Sequence, residues 1–161
     1  MVDDVTWYFT GCFVALLSGV LLAIGISDWK YRIIPNRFIA LLLILRLAAG
    51  FAVMEGWLEE ATFSFAAVGS QLVMSIGVCG ALTVLNVCLL RWGHRDGIGF
   101  GDIKLIFAMG LLMPPEHMLV FLLISSCYGV LHAFIAFIHT RDSCFPFGPS
   151  LIAGFCSCML L

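Results

Sequence analysis

Long apolar runs broken by short polar stretches divide the chain of 161 residues at Trp7–Ile26, Phe38–Val53, Phe63–Leu90, Ile103–Met113, Met118–Ile138 and Phe147–Leu161. Crossing a bilayer takes about 20 apolar residues of helix. Six such helices fit, so the pattern predicts an all-α membrane protein, a polytopic bundle of about six transmembrane helices. The fourth and sixth runs are short. At a rise of about 1.5 Å per residue the fourth covers about 17 Å, well below the hydrocarbon thickness of roughly 30 Å, and one of its ends must lie below the headgroups. Non-helical backbone is tolerated at that depth only where protein buries it or where it lines a wet cavity. The glycine-rich stretch before this run is expected to occupy such a place.

Composition strengthens this picture. Hydrophobic residues make up 62% of the chain and charged residues 11%, with a mean hydropathy of +1.10, against roughly 45–50% and about 25% for soluble domains. The length leaves no room for a separate soluble unit, so residues 1–161 are read as a single membrane-embedded domain. Asp3 and Asp4 stand near the start and no Lys or Arg precedes Lys30. A secretory signal begins with a positive region, so the first run is expected to be a permanent span. Of seven cysteines, Cys12, Cys79, Cys88, Cys127, Cys156 and Cys158 fall within apolar runs and no two have CxxC spacing. They are read as packing residues, with neither zinc nor disulfides expected. Gly69, Gly77, Gly80 and Ala81 in the third run are expected to let helices approach closely.

Charge sets the orientation. Seven of the eight basic residues, Lys30, Arg32, Arg37, Arg91, Arg95, Lys104 and Arg141, mark one side, whereas Asp3, Asp4, Glu55, Glu59, Glu60 and Glu116 mark the other. By the positive-inside rule the basic side is cytoplasmic. The expected location is the inner (cytoplasmic) membrane, with both termini outside and Asp28 and Asp102 at the cytoplasmic edge. Orientation and anionic lipid account for the basic loops, leaving no support for nucleic-acid binding.

Ionisable residues at the margin of spans are costly and stand as functional candidates whose partner should be named. Asp28 closes the first span and Asp102 opens the fourth, within Gly97-Ile98-Gly99-Phe100-Gly101-Asp102-Ile103-Lys104. Singly, Asp102 reads equally well as a helix cap after Gly101 and Asp28 as a solvated charge. Together on one edge they read as each other's partner. Two acids held close share a proton, so one serves as base and one as acid in peptide hydrolysis. The helix dipole favours charge on Asp102 and opposes it on Asp28, which makes Asp102 the expected carboxylate and Asp28 the expected acid. Arg46 lies too deep in the second span to be free, and is expected to pair within the bundle or to snorkel outward. His94, His117, His132 and His139 are spread over separate elements and no metal site is expected; His94, Arg95 and Asp96 read as a solvated loop. Serine-hydrolase, zinc-protease and Walker motifs are absent from the sequence.

These residues resemble the type IV prepilin peptidases, membrane aspartyl proteases with a Gly-any-Gly-Asp signature. The resemblance is carried by Gly97 and Gly99-Phe100-Gly101-Asp102-Ile103-Lys104-Leu105, by Asp28 followed by Arg32-Ile33-Ile34-Pro35-Asn36, and by Pro146-Phe147-Gly148-Pro149 before the last span. It implies cleavage of short, positively charged leader peptides from prepilin or prepilin-like precursors at the cytoplasmic face, with Asp28 and Asp102 as the catalytic pair and no cofactor. Larger bacterial members add an N-terminal segment and a loop of paired CxxC motifs, and also methylate the new terminus. This sequence is more similar to the short peptidase-only members, and methyl transfer is not expected.

The flanking residues are candidates for substrate binding or for shaping the site. Pro35 and Asn36 read as a re-entry turn, Pro35 fixing the backbone and Asn36 capping the next helix. Gly99 and Gly101 permit positive φ and close approach of a substrate backbone, although turn geometry accounts for them as well. Lys104 either lowers the acids' tendency to protonate, binds substrate main chain, or snorkels to the headgroups. Arg32 belongs to the turn after Asp28, and Pro146 and Gly148 to a rigid turn that sets the last helix beside the site. Two further readings compete. Presenilin and signal-peptide-peptidase type proteases share Gly-any-Gly-Asp, but the expected Pro-Ala-Leu element is absent. A proton-coupled transporter or pilus-assembly membrane protein would use the acids without cleaving a precursor.

Overall fold

The computed structural model describes residues 2–58, 61–92, 98–140 and 146–160, and places six α-helices in them: α1 (Val2–Tyr31), α2 (Asn36–Met54), α3 (Phe65–Arg91), α4 (Phe100–Gly110), α5 (His117–Thr140) and α6 (Gly148–Cys158). A 3₁₀ turn at Ala61–Phe63 precedes α3. Among the described residues α1, α2, α3 and α5 are long and apolar enough to cross a membrane. Helices α4 and α6 have 11 residues each and rise about 16 Å, roughly half the hydrocarbon core. The chain is a multi-pass membrane protein whose outer surface carries apolar side chains such as Leu16, Ile44, Ile76, Leu119, Leu123 and Phe134.

Helix α4 is the axis of the bundle. It packs against α2, α3 and α6, while α1 packs against α2 and α6, and α5 against α6. Leu105, Ile106, Ala108 and Met109 of α4 meet Leu42 and Leu45 of α2, Ile24 of α1 and Leu151 and Phe155 of α6 in one buried core. From Leu105 to Gly110 the helix is apolar on every side and buried but for half-buried Phe107, as such a helix should be, and this explains how so short an element persists.

Helix α3 is built the other way round. Its buried residues are Gln71, Ser75 and Asn86, while Val73, Ile76, Val84, Leu85 and Val87 are exposed. Lipid is as apolar as leucine, so polar and small contacts hold such a helix in place. The polar stripe runs antiparallel along α4. Asn86 meets Ile98, the Cys79 thiol donates to the Ile103 carbonyl at 3.4 Å, Ser75 lies against Gly110, and Gln71 Nε2 donates to the Met113 carbonyl at 3.2 Å. The expected role of Gly69, Gly77 and Gly80 in close packing is therefore corrected. No atom of a neighbouring element lies near where their side chains would begin, and Ala81 is exposed, because the inward stripe turns this face toward lipid. Close approach occurs instead at Gly110 on Ser75, Gly154 on Ser125 and Gly129 on Phe147.

Arg46 pairs within the bundle, the first of its two expected fates. Its partners are carbonyls. Nε donates to Leu111 O at 2.8 Å, Nη1 to Phe63 O at 2.7 Å, and Nη2 to Ser64 O at 3.1 Å and Gln71 Oε1 at 2.9 Å. A helix end leaves its last carbonyls without intrahelical donors, and no water is at hand to serve them inside a bilayer. Arg46 and Gln71 supply those donors where α4 stops, and the guanidinium also meets the negative end of the α4 dipole.

Candidate active site

The chain reverses between α1 and α2 through a short turn. Arg32 has a φ of 53° and its N–H donates to Asp28 O at 2.8 Å, which closes α1 in a left-handed conformation costly for a residue with a Cβ. Pro35, with φ −65° and ψ 133°, precedes the first turn of α2 without a side-chain cap. Asn36 is thus helical and does not cap as expected; its Oδ1 accepts from Lys104 Nζ at 3.2 Å, tying α2 to α4. The competing reading of Asp102 as a helix cap does not hold. Gly99, extended at φ −61° and ψ 136°, is the cap residue, and helix α4 begins at Phe100. Neither Gly99 nor Gly101 has positive φ. Close approach is found at Gly99, where a Cβ would lie 3.0 Å from Asp102 Oδ2, whereas one on Gly101 would make ordinary contact with Ile34 at 3.4 Å. Gly97, which opens the motif, lies outside the described residues, as do His94, Arg95 and Asp96.

A pocket of about 470 Å³ collects these pieces. Asp28, Arg32, Pro35 and Asn36 border it from the α1–α2 turn, and Gly99, Gly101, Asp102 and Lys104 border it from α4. Gly148 reaches Asp28 from the other side, its N–H donating to Asp28 Oδ2 at 2.8 Å. Pro146 does not line the pocket. Asp28 is buried, with 5% of its surface exposed, between its own helix and the first residue of α6. Asp102 is half-buried.

Asp102 stands at the start of α4, a helix too short to span. Burial, with a smaller contribution from the charge of Asp28, pushes its carboxyl up to about 6 from an ordinary value of 3.8. A carboxyl raised in this way favours the folded chain while protonated. That contribution is complete below about pH 4 and is lost as the pH climbs through about 6. The melting temperature of the detergent-solubilised protein is expected to fall across this window, and Asp102→Asn is expected to flatten the profile. A profile of equal slope in the variant would assign the fall to other groups.

Gly148 fits no larger residue. A Cβ there would lie 2.7 Å from Asp28 Oδ2 and 3.0 Å from its Cγ, inside van der Waals contact. Gly148→Ala is expected to push the Asp28 carboxyl aside and to lower turnover by about 100-fold, the scale set by a misplacement of about 1 Å, with little change in melting. Undiminished turnover would show that Gly148 does not position Asp28.

Asn86 was not singled out from the sequence. Buried in α3, it pairs with the main chain of Ile98 in both directions, Nδ2 donating to Ile98 O at 3.1 Å and Oδ1 accepting from Ile98 N at 3.0 Å. This fixes the backbone one residue before Gly99 and hence the start of α4. The signal that could have found it was a carboxamide inside an apolar run on the same face as Gln71 and Ser75. Among the described residues no cluster of three or more His, Cys, Asp or Glu side chains is placed to hold a metal.

Two acids facing one half-dry pocket can divide base and acid roles between them. Known proteins resemble the chain in sequence. The chain is 28% identical over 147 residues to the type 4 prepilin-like proteins leader peptide-processing enzyme of Escherichia coli O78:H11 (strain H10407 / ETEC), covering 88% of this chain and 48% of that protein. It is also 28% identical over 145 residues to the prepilin leader peptidase/N-methyltransferase of Escherichia coli (strain K12), covering 89% of this chain and 57% of that protein. The chain thus spans about half the length of these curated relatives. No solved structure matches it. The model of the type IV leader peptidase family matches residues 15–134, a stretch that contains Asp28, the α1–α2 turn, Asn86 and the Gly99–Lys104 motif, and on that match this chain belongs to the type IV leader peptidase family.

Proposed function

We propose that the chain is an aspartic endopeptidase that cleaves leader peptides from type IV prepilin or prepilin-like precursors at the cytoplasmic face of the inner membrane. The carrying observation is the pocket that joins Asp28 at the end of α1 to Asp102 at the start of α4, two positions far apart in sequence. Family membership and the names of both relatives support the substrate class. The side is argued from charge. Lys30, Arg32, Arg37, Arg91 and Lys104 all belong to helix ends or turns at the Asp28–Asp102 end of the bundle, and basic residues in short loops mark the cytoplasm.

We assign the acids the opposite roles to those that the dipoles along the sequence suggest. Asp28 does close α1, but it also meets the N-terminal end of α6 and accepts the Gly148 N–H, which holds its carboxyl group in place at the rim of the pocket. Burial first, and the charge of Asp28 second, raise the Asp102 carboxyl to about 6, which leaves it the proton carrier of the two. Asp28 is accordingly the base. It takes a proton from water as the water oxygen bonds to the scissile carbonyl carbon, and Asp102 gives its proton to the carbonyl oxygen. On collapse the C–N bond breaks, Asp28 returns its proton to the leaving amine, and Asp102 recovers one from the hydroxyl that becomes the new carboxyl. The pair ends as it began.

Co-expression with a prepilin tests the reading. The precursor is expected to shorten by its leader, seen as a mobility shift and as a new N-terminus by sequencing. A precursor that stays full length beside well-expressed enzyme would overturn it.

A further inference from the structure

Two concavities lie beside the C-terminal half of α1. One is the polar pocket; the other is a groove of about 600 Å³ between α1 and α6, the two helices joined by the Gly148–Asp28 hydrogen bond. Gly25, Pro149 and Ala153 give it a shallow-sided floor, and Leu22, Ile26 and Trp29 rise beside them. The last three are 64–66% exposed. The lining is apolar apart from Lys30 at one end.

We propose that this groove seats the membrane-spanning helix of the precursor, and that the leader junction passes round the end of α1 into the polar pocket. The proposal rests on the leader-peptidase reading and adds to it where the substrate's helix is held. Continuity carries it. The groove follows α1 from Leu21 to Lys30, about 14 Å along the axis, and Arg32, two residues further on, borders the polar pocket. A helix lying in the groove therefore leaves it at the rim of the pocket that holds both acids.

The chemistry of the two halves also agrees with the substrate class. A leader junction joins a polar segment to an apolar helix, and here a polar pocket adjoins an apolar groove. In lipid, helices associate by close packing over small residues; Ala153 is such a residue in the groove, while Gly25 already packs on Ile152. A second apolar hollow, of about 220 Å³ on α5 beside Leu123, Cys127 and Leu131, borders neither acid. It offers no route to the pocket.

The test uses the full chain in proteoliposomes with two substrates, a precursor retaining its apolar helix and a soluble peptide that ends shortly after the junction. Ala153→Phe and Leu22→Trp fill the groove, and the second changes a side chain that is 65% exposed, which preserves the fold. Both variants are expected to raise KM for the helix-bearing precursor by about tenfold, the effect of losing one good apolar contact, while kcat and cleavage of the soluble peptide stay at their unmodified values. An equal loss on both substrates would mean that the groove holds lipid and merely braces α1 against α6, and would overturn the proposal. An unchanged KM for the helix-bearing precursor would overturn it too. If the unmodified chain cleaves neither substrate, the leader-peptidase reading falls and the groove falls with it; if it cleaves both and the variants match it, only the groove falls.

Discussion

Asp28→Asn and Asp102→Asn are each expected to cut precursor cleavage by about 1,000-fold or more, within or beyond the range for losing a positioned acid or base. Asparagine keeps the size and much of the hydrogen bonding of aspartate, so in Asp28→Asn the amide oxygen can still accept the Gly148 N–H. It cannot take a proton from water. At position 102 the amide can donate a hydrogen bond to the developing oxyanion but cannot pass a proton to it. The double variant is expected to be no slower than the worse single one, because two groups that act as one unit are not additive. Single-turnover cleavage in proteoliposomes measures all three, with melting in detergent to show that each variant is folded. Turnover within tenfold of the unmodified enzyme in either single variant would sink the paired mechanism.

Replacing Arg46 by leucine is expected to cost about 3–5 kcal/mol of stability, the scale for leaving several buried carbonyls without donors at about 1–3 kcal/mol each. The loss would come from what is left behind. Leu111 O and Phe63 O lose donors at 2.8 and 2.7 Å, and Gln71 Oε1 loses its contact at 2.9 Å, in a setting where unserved carbonyls are expensive. Lysine restores the charge but not the fork that reaches several carbonyls at once, so Arg46→Lys should recover only part of the loss. Equilibrium unfolding in mixed micelles reads both. A difference below about 1 kcal/mol, the ordinary size of a point substitution, would show that the network is dispensable.

The outline of the molecule was open to reading because an apolar run long enough to cross a bilayer is seldom anything but a span. Helix ends were harder. Apolarity placed the fourth helix at Ile103–Met113, but the helix begins at Phe100, since Gly101 and Asp102 are compatible with a first turn once Gly99 caps it. Asp28 and Asp102 could be paired by counting spans and charges, whereas the Gly148 N–H that organises Asp28 could not. A backbone donor has no side-chain signature, and the contact joins residues at opposite ends of the chain. The small residues of α3 misled for a related reason. Glycines in a membrane helix suggest packing, yet the deciding feature was the placement of Gln71, Ser75 and Asn86 on one face, which hydropathy averages away.

That stripe has a practical consequence for handling the protein outside lipid. Helix α3 is fastened to α4 through polar side chains, with Met74, Val78 and Leu82 packed on the core beside them, and its outward side chains face away from the bundle. Val73, Ile76, Val84 and Val87 are therefore the places to repaint with glutamate, lysine and glutamine when engineering a detergent-free version, since none of them belongs to that internal fastening.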